Sequence, residues 1–165
     1  MNPPLQLVLV GVAGSGKTSV GTRLAADLRI GFVDADDFHP PGNRARMAKG
    51  LPLDDSMRAP WLGAIHAHLR SLADAGLDFV LACSALKRRH RDILGDGLRE
   101  LRWIHLAVQE QHLRARLAAR QGHFFPAALL PSQLAAFEPL EQGLTLDADA
   151  PLDVVVQRVR TALGR

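Results

Sequence analysis

At 165 residues, with 47% of them apolar and 22% charged, the chain is long enough to bury one full core and too apolar to stay disordered. Its net charge of +3, its 5% of aromatics and its lack of tyrosine give no basic, aromatic-interleaved surface of the kind that binds nucleic acid, and its longest apolar runs are far too short to span a bilayer. Cys83 is the only cysteine, so no intramolecular disulfide forms, and its apolar neighbours mark it as a small core residue. The opening Met1-Asn2-Pro3-Pro4 carries no basic leader region, so the expected location is cytoplasmic.

Leu5 to Val10 is a mostly apolar run, the pattern of a buried parallel strand. Directly after it, Gly11-Val12-Ala13-Gly14-Ser15-Gly16-Lys17-Thr18 reads G-x-x-x-x-G-K-[ST], the phosphate-binding P-loop. Val20, Leu24 and Leu28 follow at four-residue spacing, a helical stripe. Strand, glycine loop and helix thus stand in the order the motif requires. The glycines bring backbone N–H groups against phosphate oxygens, and the helix starting at about Lys17 aims its positive end at the same place. Gly11, Gly14, Ser15, Gly16, Lys17, Thr18 and Ser19 are the candidate nucleotide-binding residues. Lys17 is expected on the β- and γ-phosphates, and the Thr18 hydroxyl on Mg²⁺.

Ile30 to Asp34 reads as a second short strand, ending in Asp34-Ala35-Asp36-Asp37-Phe38-His39. Ligands of open α/β sheets collect at the carboxyl ends of strands. If the chain stays extended, Asp34 and Asp36 lie on one side near the P-loop. They would then supply a Mg²⁺-linked carboxylate and a base for a substrate hydroxyl; the plainer reading is a solvated acidic turn, with Asp37 capping a helix. Pro40-Pro41-Gly42-Asn43 breaks the chain, and Arg44 to Lys49 reads as a short helix closed by Gly50. Asp55 or Ser56 is the expected cap of the next helix, whose apolar stripe is Trp61, Leu62, Ile65, Leu69 and Leu72. Arg58 falls in its first turn, against the helix dipole, either as a solvated side chain or as a cation placed for an anion.

Leu77 to Cys83 is the third strand, and no acidic residue closes it, which leaves Asp34 as the candidate on the metal side. Lys87-Arg88-Arg89-His90-Arg91 opens a helix; such a run is usually a solvated face, but Lys87 and Arg91 share a side by i,i+4 spacing just past a strand end. Trp103 to Ala107 is the fourth strand. Gln111 to Arg120 follows as a helix, with Leu113 and Leu117 inward and Arg114, Arg116 and Arg120 outward or toward the site. The interruption at Gly122-His123-Phe124-Phe125-Pro126 and a second helix over Ala127 to Phe137 read as a mobile lid over phosphates, or as a plain helical hairpin with a basic edge. Leu144 to Asp147 is a fifth strand. Asp149-Ala150-Pro151 is the expected cap of a last helix, with Leu152, Val155, Val156, Val159 and Leu163 on its core face. Strands alternating with helices, without repeats or linkers, predict one domain over residues 1–165 with a parallel three-layer α/β fold.

Several blocks of this chain closely resemble the bacterial gluconokinases, small P-loop gluconate kinases related to shikimate and nucleoside monophosphate kinases. These are the P-loop, Asp34-x-Asp36-x-x-His39-Pro40 with Asn43, Pro52-Leu53-Asp54-Asp55-x-x-Arg58-x-Pro60-Trp61-Leu62, Cys83-Ser84-Ala85-Leu86-Lys87-x-x-x-Arg91-Asp92, and Gly122-His123-Phe124-Phe125. They stand in the family's order from Gly11 to about Phe125, and His90 stands where the family often has an aromatic. The resemblance implies an α/β/α P-loop kinase fold with a five-stranded parallel sheet, a lid at about residues 120–137 and a helical substrate-binding part. It implies ATP and Mg²⁺, transfer of the γ-phosphate to the 6-hydroxyl of D-gluconate, and often a homodimer. Carried onto this chain, it puts Mg²⁺ at Thr18 and Asp34, makes Asp36 the residue that orients or deprotonates the hydroxyl, and sets Arg120 and Arg116 against the nucleotide's phosphates. It places His39, Arg58, Lys87, Arg91 and His123 with the substrate. A shikimate-type or nucleoside monophosphate kinase is the nearest alternative, and the Pro-Trp-Leu and Ser-Ala-Leu-Lys blocks stand against it. The intact Lys17, Thr18, Asp34 and Asp36 set stands against a non-catalytic nucleotide-binding sensor.

Overall fold

A computed structural model describes residues 3–120 and 126–165. Five strands, β1 (Gln6–Val10), β2 (Gly31–Asp34), β3 (Phe79–Ala82), β4 (Leu101–Ala107) and β5 (Leu144–Asp147), form one sheet in the order β2-β3-β1-β4-β5. Every pairing is parallel, as the alternation of strands and helices predicts. The helices are α1 (Lys17–Leu28), α2 (Pro41–Ala48), α3 (Asp55–Asp74), α4 (Arg88–Gly95), α5 (Glu110–Ala119), α6 (Leu130–Ala136) and α7 (Leu152–Leu163).

The three layers follow from the period of the strands. Side chains alternate across a sheet, so β1 sends Val8 and Val10 to one face and Leu7 and Leu9 to the other. Val8 and Val10 join Trp61, Ile65 and Leu69 of α3 and Leu94 of α4. Leu7 and Leu9 join Val20 and Leu24 of α1 and Val155, Val156 and Val159 of α7. A third apolar cluster, Val12, Leu86, Leu113, Leu117 and Leu130, packs α5 and α6 beside the P-loop. From β1 the chain runs first to the β2 side of the sheet and later to the β4 side. The strand order therefore reverses between β1 and β3, and the crevice outside their carboxyl ends is where such a sheet binds ligands.

Local chemistry departs from the sequence expectations at five places. The chain does not stay extended after β2: Ala35–Phe38 form a 3₁₀ turn, and Asp34 rather than Asp37 caps it, accepting from the Asp36 N–H at 3.0 Å. α2 begins at Pro41, because proline at the first helical position lacks only an amide that would be orphaned anyway. Asp54, not Asp55 or Ser56, caps α3, accepting from the Met57 N–H at 2.9 Å. Asp149 does not cap α7; its carboxylate takes the Gln109 N–H and His112 instead, and Pro151 stands at the cap position. The expected helix over Ala127 to Phe137 is a 3₁₀ turn, Ala127–Leu129, followed by α6, with Pro131 in the first turn of α6.

Candidate active site

The P-loop joins β1 to α1 at the strand-order reversal. Gly14 and Gly16 have φ of +84° and +95°, values that glycine adopts freely. A side chain at Gly14 would also lie 3.3 Å from the Leu113 carbonyl and from Leu117. The Lys17 ammonium donates to the Val12 carbonyl of its own loop at 3.1 Å. Burial holds its pKa below the usual lysine value, the charges of Asp36 and Asp34 act against that shift, and Arg120 adds to it. Among the described residues, the Ser15 hydroxyl is buried without a hydrogen-bond partner. A buried unpaired hydroxyl, a desolvated ammonium and a left-handed glycine loop at a helix start together fit an anionic phosphate chain.

Across the cleft stand the acids of β2. The Thr18 hydroxyl donates to Asp34 Oδ2 at 3.0 Å, so two oxygens suited to Mg²⁺ already face each other. No cluster of three or more His, Cys, Asp or Glu able to hold a metal occurs among the described residues. A divalent ion between Thr18 and Asp34 must therefore draw its other ligands from phosphate and water, as Mg²⁺ does. The 3₁₀ turn brings Asp36 round into the same cleft, its side chain 44% exposed, and Arg44 pins the Asp36 carbonyl at 2.6 Å. Cys83, at the end of β3, is buried in the cleft wall, and that burial pushes its thiol up to about 12. It is a neutral packing residue there.

Arg58, His39, Trp61 and His90 form the wall opposite the P-loop. The Arg58 guanidinium donates to the Leu53 carbonyl at 2.6 Å, and burial lowers its pKa. His39 stacks on Trp61 with ring centroids 4.2 Å apart, and the Trp61 indole donates to the Ala35 carbonyl at 2.7 Å. Asp55, in the first turn of α3, gathers the cations Lys87 at 3.5 Å, Arg58 at 3.9 Å and Arg89, and meets the His90 ring at 3.3 Å. Met47, Leu53 and Leu129, buried together, close the apolar end. The turn into α4 carries Ala85 at φ +40°, a left-handed conformation that alanine adopts only when its surroundings impose it.

The structure brings Lys17, Thr18, Asp34, Asp36, His39, Arg58 and Arg120 into one cleft with Gly14 and Gly16. Ser19, Arg116 and Arg120 line a neighbouring hollow on the other side of the P-loop, with Gly14, Ser15 and Gly16. Arg120 thus borders both. Arg116 bridges the Gly14 and Ala148 carbonyls, at 3.1 Å each, and so ties the P-loop to the segment before α7. Gly11 lies under the loop; a side chain there would meet Ser15 Oγ at 2.6 Å. Lys87 lies behind the cleft wall on Asp55 and lines no part of the cleft. Arg91 is also elsewhere: it is buried and donates to four carbonyls, those of Ala85, Leu86, Glu138 and Pro139, at 2.9 to 3.1 Å. The i,i+4 spacing does not give the pair one partner: Lys87, just before α4, sits on Asp55 of α3, whereas Arg91 turns to the Ala85 turn and the Glu138 segment. His123 lies outside the described residues.

Sequence reasoning passed over His90, Asp55 and Gln133. His90 hid inside a basic run that reads as solvated, yet it is 3% exposed. Gln133 of α6 accepts from the Ala13 N–H at 2.7 Å, a contact across 120 residues that no local pattern announces.

The AAA domain family matches residues 7–140. A gluconokinase of Gluconobacter oxydans (strain 621H) is 48% identical over 136 residues, which cover 82% of this chain and 76% of that one. Among solved structures, a gluconokinase from Sinorhizobium meliloti 1021 aligns with a TM-score of 0.87 at 37% identity, covering 100% of this chain and 94% of that one. An unliganded sugar kinase from Janibacter sp. HTCC2649 aligns with a TM-score of 0.91 at 39% identity, covering 98% and 95%. Identity at this level over most of both chains, on the same sheet and around the same crevice, makes this chain a member of the gluconokinase family.

Proposed function

We propose that this protein transfers the γ-phosphoryl group of ATP to the 6-hydroxyl of D-gluconate, giving 6-phospho-D-gluconate and ADP. The observation that carries the reading is the meeting of Lys17, Asp34, Asp36 and Arg120 in one cleft of a gluconokinase-family chain. The backbone of Gly14 to Thr18 cradles the phosphates, and Lys17 meets the charge that builds on the β- and γ-oxygens. Thr18 and Asp34 would hold Mg²⁺, which would supply positive charge to offset that of the phosphates. Asp36 accepts the proton of the 6-hydroxyl as its oxygen bonds to Pγ and the bond from Pγ to the bridging oxygen of ADP breaks. Arg120, which borders both hollows, is read as the cation that meets the phosphoryl group in transfer. Arg58 faces the acid end of the sugar, with Asp55 holding the surrounding cations in place.

Phosphoryl transfer leaves the protein little covalent work, so positioning and charge carry the rate. We read residues 1–165 as one kinase domain with its lid at about 120–137, a reading supported by the single sheet that carries helices on both faces. Family membership supports a homodimer and a cytoplasmic setting; among the described residues no helix is long and apolar enough to cross a membrane.

The test is ADP release by the purified protein with Mg-ATP and a panel of D-gluconate, related aldonates, shikimate, AMP and CMP. Strong turnover on D-gluconate is the expected outcome. Turnover on shikimate or a nucleotide instead would keep the fold and the P-loop but refute the substrate. ATP binding without turnover on any acceptor would refute the enzyme.

A further inference from the structure

His39 is buried in the cleft wall, and its ring is fixed by more than the stack on Trp61. The Asn43 side-chain nitrogen donates to the Met57 carbonyl at 3.1 Å. A carbonyl only accepts, so this contact settles which end of the Asn43 amide is nitrogen. The same nitrogen lies 3.5 Å from His39 Nδ1. Its second hydrogen points there, so Nδ1 is the accepting, unprotonated nitrogen of a neutral ring. The ring proton must then sit on Nε2, and Nε2 faces Asp36 Oδ1 at 4.0 Å. The ring also stays neutral: burial, with Arg44 and Arg58 nearby, lowers its pKa to about 4. Asn43, anchored on the Met57 carbonyl of α3, thus sets the His39 ring whose Nε2–H faces the carboxylate in the cleft.

We propose that His39 is a positioning residue for Asp36: locked by Asn43 as the Nε2–H tautomer, it donates to Asp36 Oδ1 when gluconate fills the cleft and leaves Oδ2 for the 6-hydroxyl. This rests on the reading of Asp36 as the group that takes the hydroxyl proton. The 4.0 Å separation is longer than a hydrogen bond, and contacts of this kind tighten in the complex with substrate. Without the His39 donor on Oδ1 the carboxylate loses one of the contacts that set its angle, and a misplaced base costs rate rather than affinity.

The experiment measures kcat, both KM values and Tm for His39→Asn, His39→Gln, Asn43→Ala and Asp36→Asn. Glutamine places an N–H donor where Nε2 stands; asparagine reaches only as far as Nδ1. Both lose the ring and its stack on Trp61, so any purely structural cost falls on the two alike. H39N is expected to lower kcat by about 10- to 100-fold with the KM for gluconate and for Mg-ATP nearly unchanged, and H39Q to recover most of that loss. N43A, which leaves the ring and its stack in place, lowers kcat in the same direction by less, and it carries the test if neither His39 variant folds. Equal kcat in H39N and H39Q, a rise in the gluconate KM alone, or wild-type kcat in N43A would each overturn the proposal. D36N separates the two readings. Loss of turnover in D36N beside wild-type kcat in H39N overturns only the role of His39. Wild-type turnover in D36N removes Asp36 from the chemistry and this proposal with it.

Discussion

Two basic residues with similar sequence credentials have opposite fates. Arg58 enters the cleft wall, while Arg91 spends its guanidinium on four carbonyls. Replacing Arg91 by Met strands those acceptors in a buried place, so R91M is expected to lower stability by about 2–4 kcal/mol and to leave the KM for gluconate unchanged. Denaturant unfolding together with steady-state kinetics checks both halves. A raised KM at unchanged stability would return Arg91 to the substrate. Lys17 is the converse case, a desolvated charge that, among the described residues, donates only to its own loop. K17M is expected to cut turnover by at least about 10²–10³-fold while Tm holds or rises, because an ammonium held against its solvation is removed. A large fall in Tm would make the lysine structural.

At the scale of elements, the cleft is assembled where secondary structure begins and ends. The P-loop opens α1, the Asp34 cap opens a 3₁₀ turn, and the His90 side chain caps the start of α4. The imidazole of that cap takes the Lys87 N–H at Nδ1 and meets Asp55 through Nε2. Burial lowers the pKa of His90 to about 4, and nearby cations add to the shift; His39 is lowered to about 4 as well. The unfolded chain, with histidines near 6.5, binds protons that the folded chain refuses. Stability from this source is therefore complete above about pH 6.5 and drains away as pH falls toward about 4. Thermal melts between about pH 7 and pH 5 are expected to show a falling Tm, with a shallower fall in H90F. Identical slopes would show that His90 is not refusing a proton.

For the whole molecule, the proposed Mg²⁺ site is the clearest case of parts completed from outside. Thr18 and Asp34 come from opposite sides of the cleft and meet at 3.0 Å, yet supply only two oxygens between them. Saturating ATP is expected to stabilise the fold by roughly 2.7 kcal/mol at a hundredfold excess over Kd, and added Mg²⁺ to raise the Tm further. D34N should keep the ATP shift and lose the Mg²⁺ increment; an undiminished increment would place the ion elsewhere. Much of this architecture was legible in the chain itself. The strand, glycine loop and helix around Gly11–Thr18, the apolar run of β1 and the stripe of α3 are short-range patterns, and backbone geometry and burial act on them locally. The acids after β2 were legible as chemistry but not as shape, because an Asx-type cap turned the chain where extension was expected. What only the tertiary structure decided is which polar side chains face the cleft. Helical spacing put Lys87 and Arg91 on one side, but tertiary packing gave them different partners, Asp55 of α3 for Lys87 and the Glu138 segment for Arg91. His90 and Gln133 became cleft residues through partners 35 and 120 positions away. A local sequence pattern states a side chain's direction relative to its own element; its partner is set by the packing of elements, and that is a long-range property.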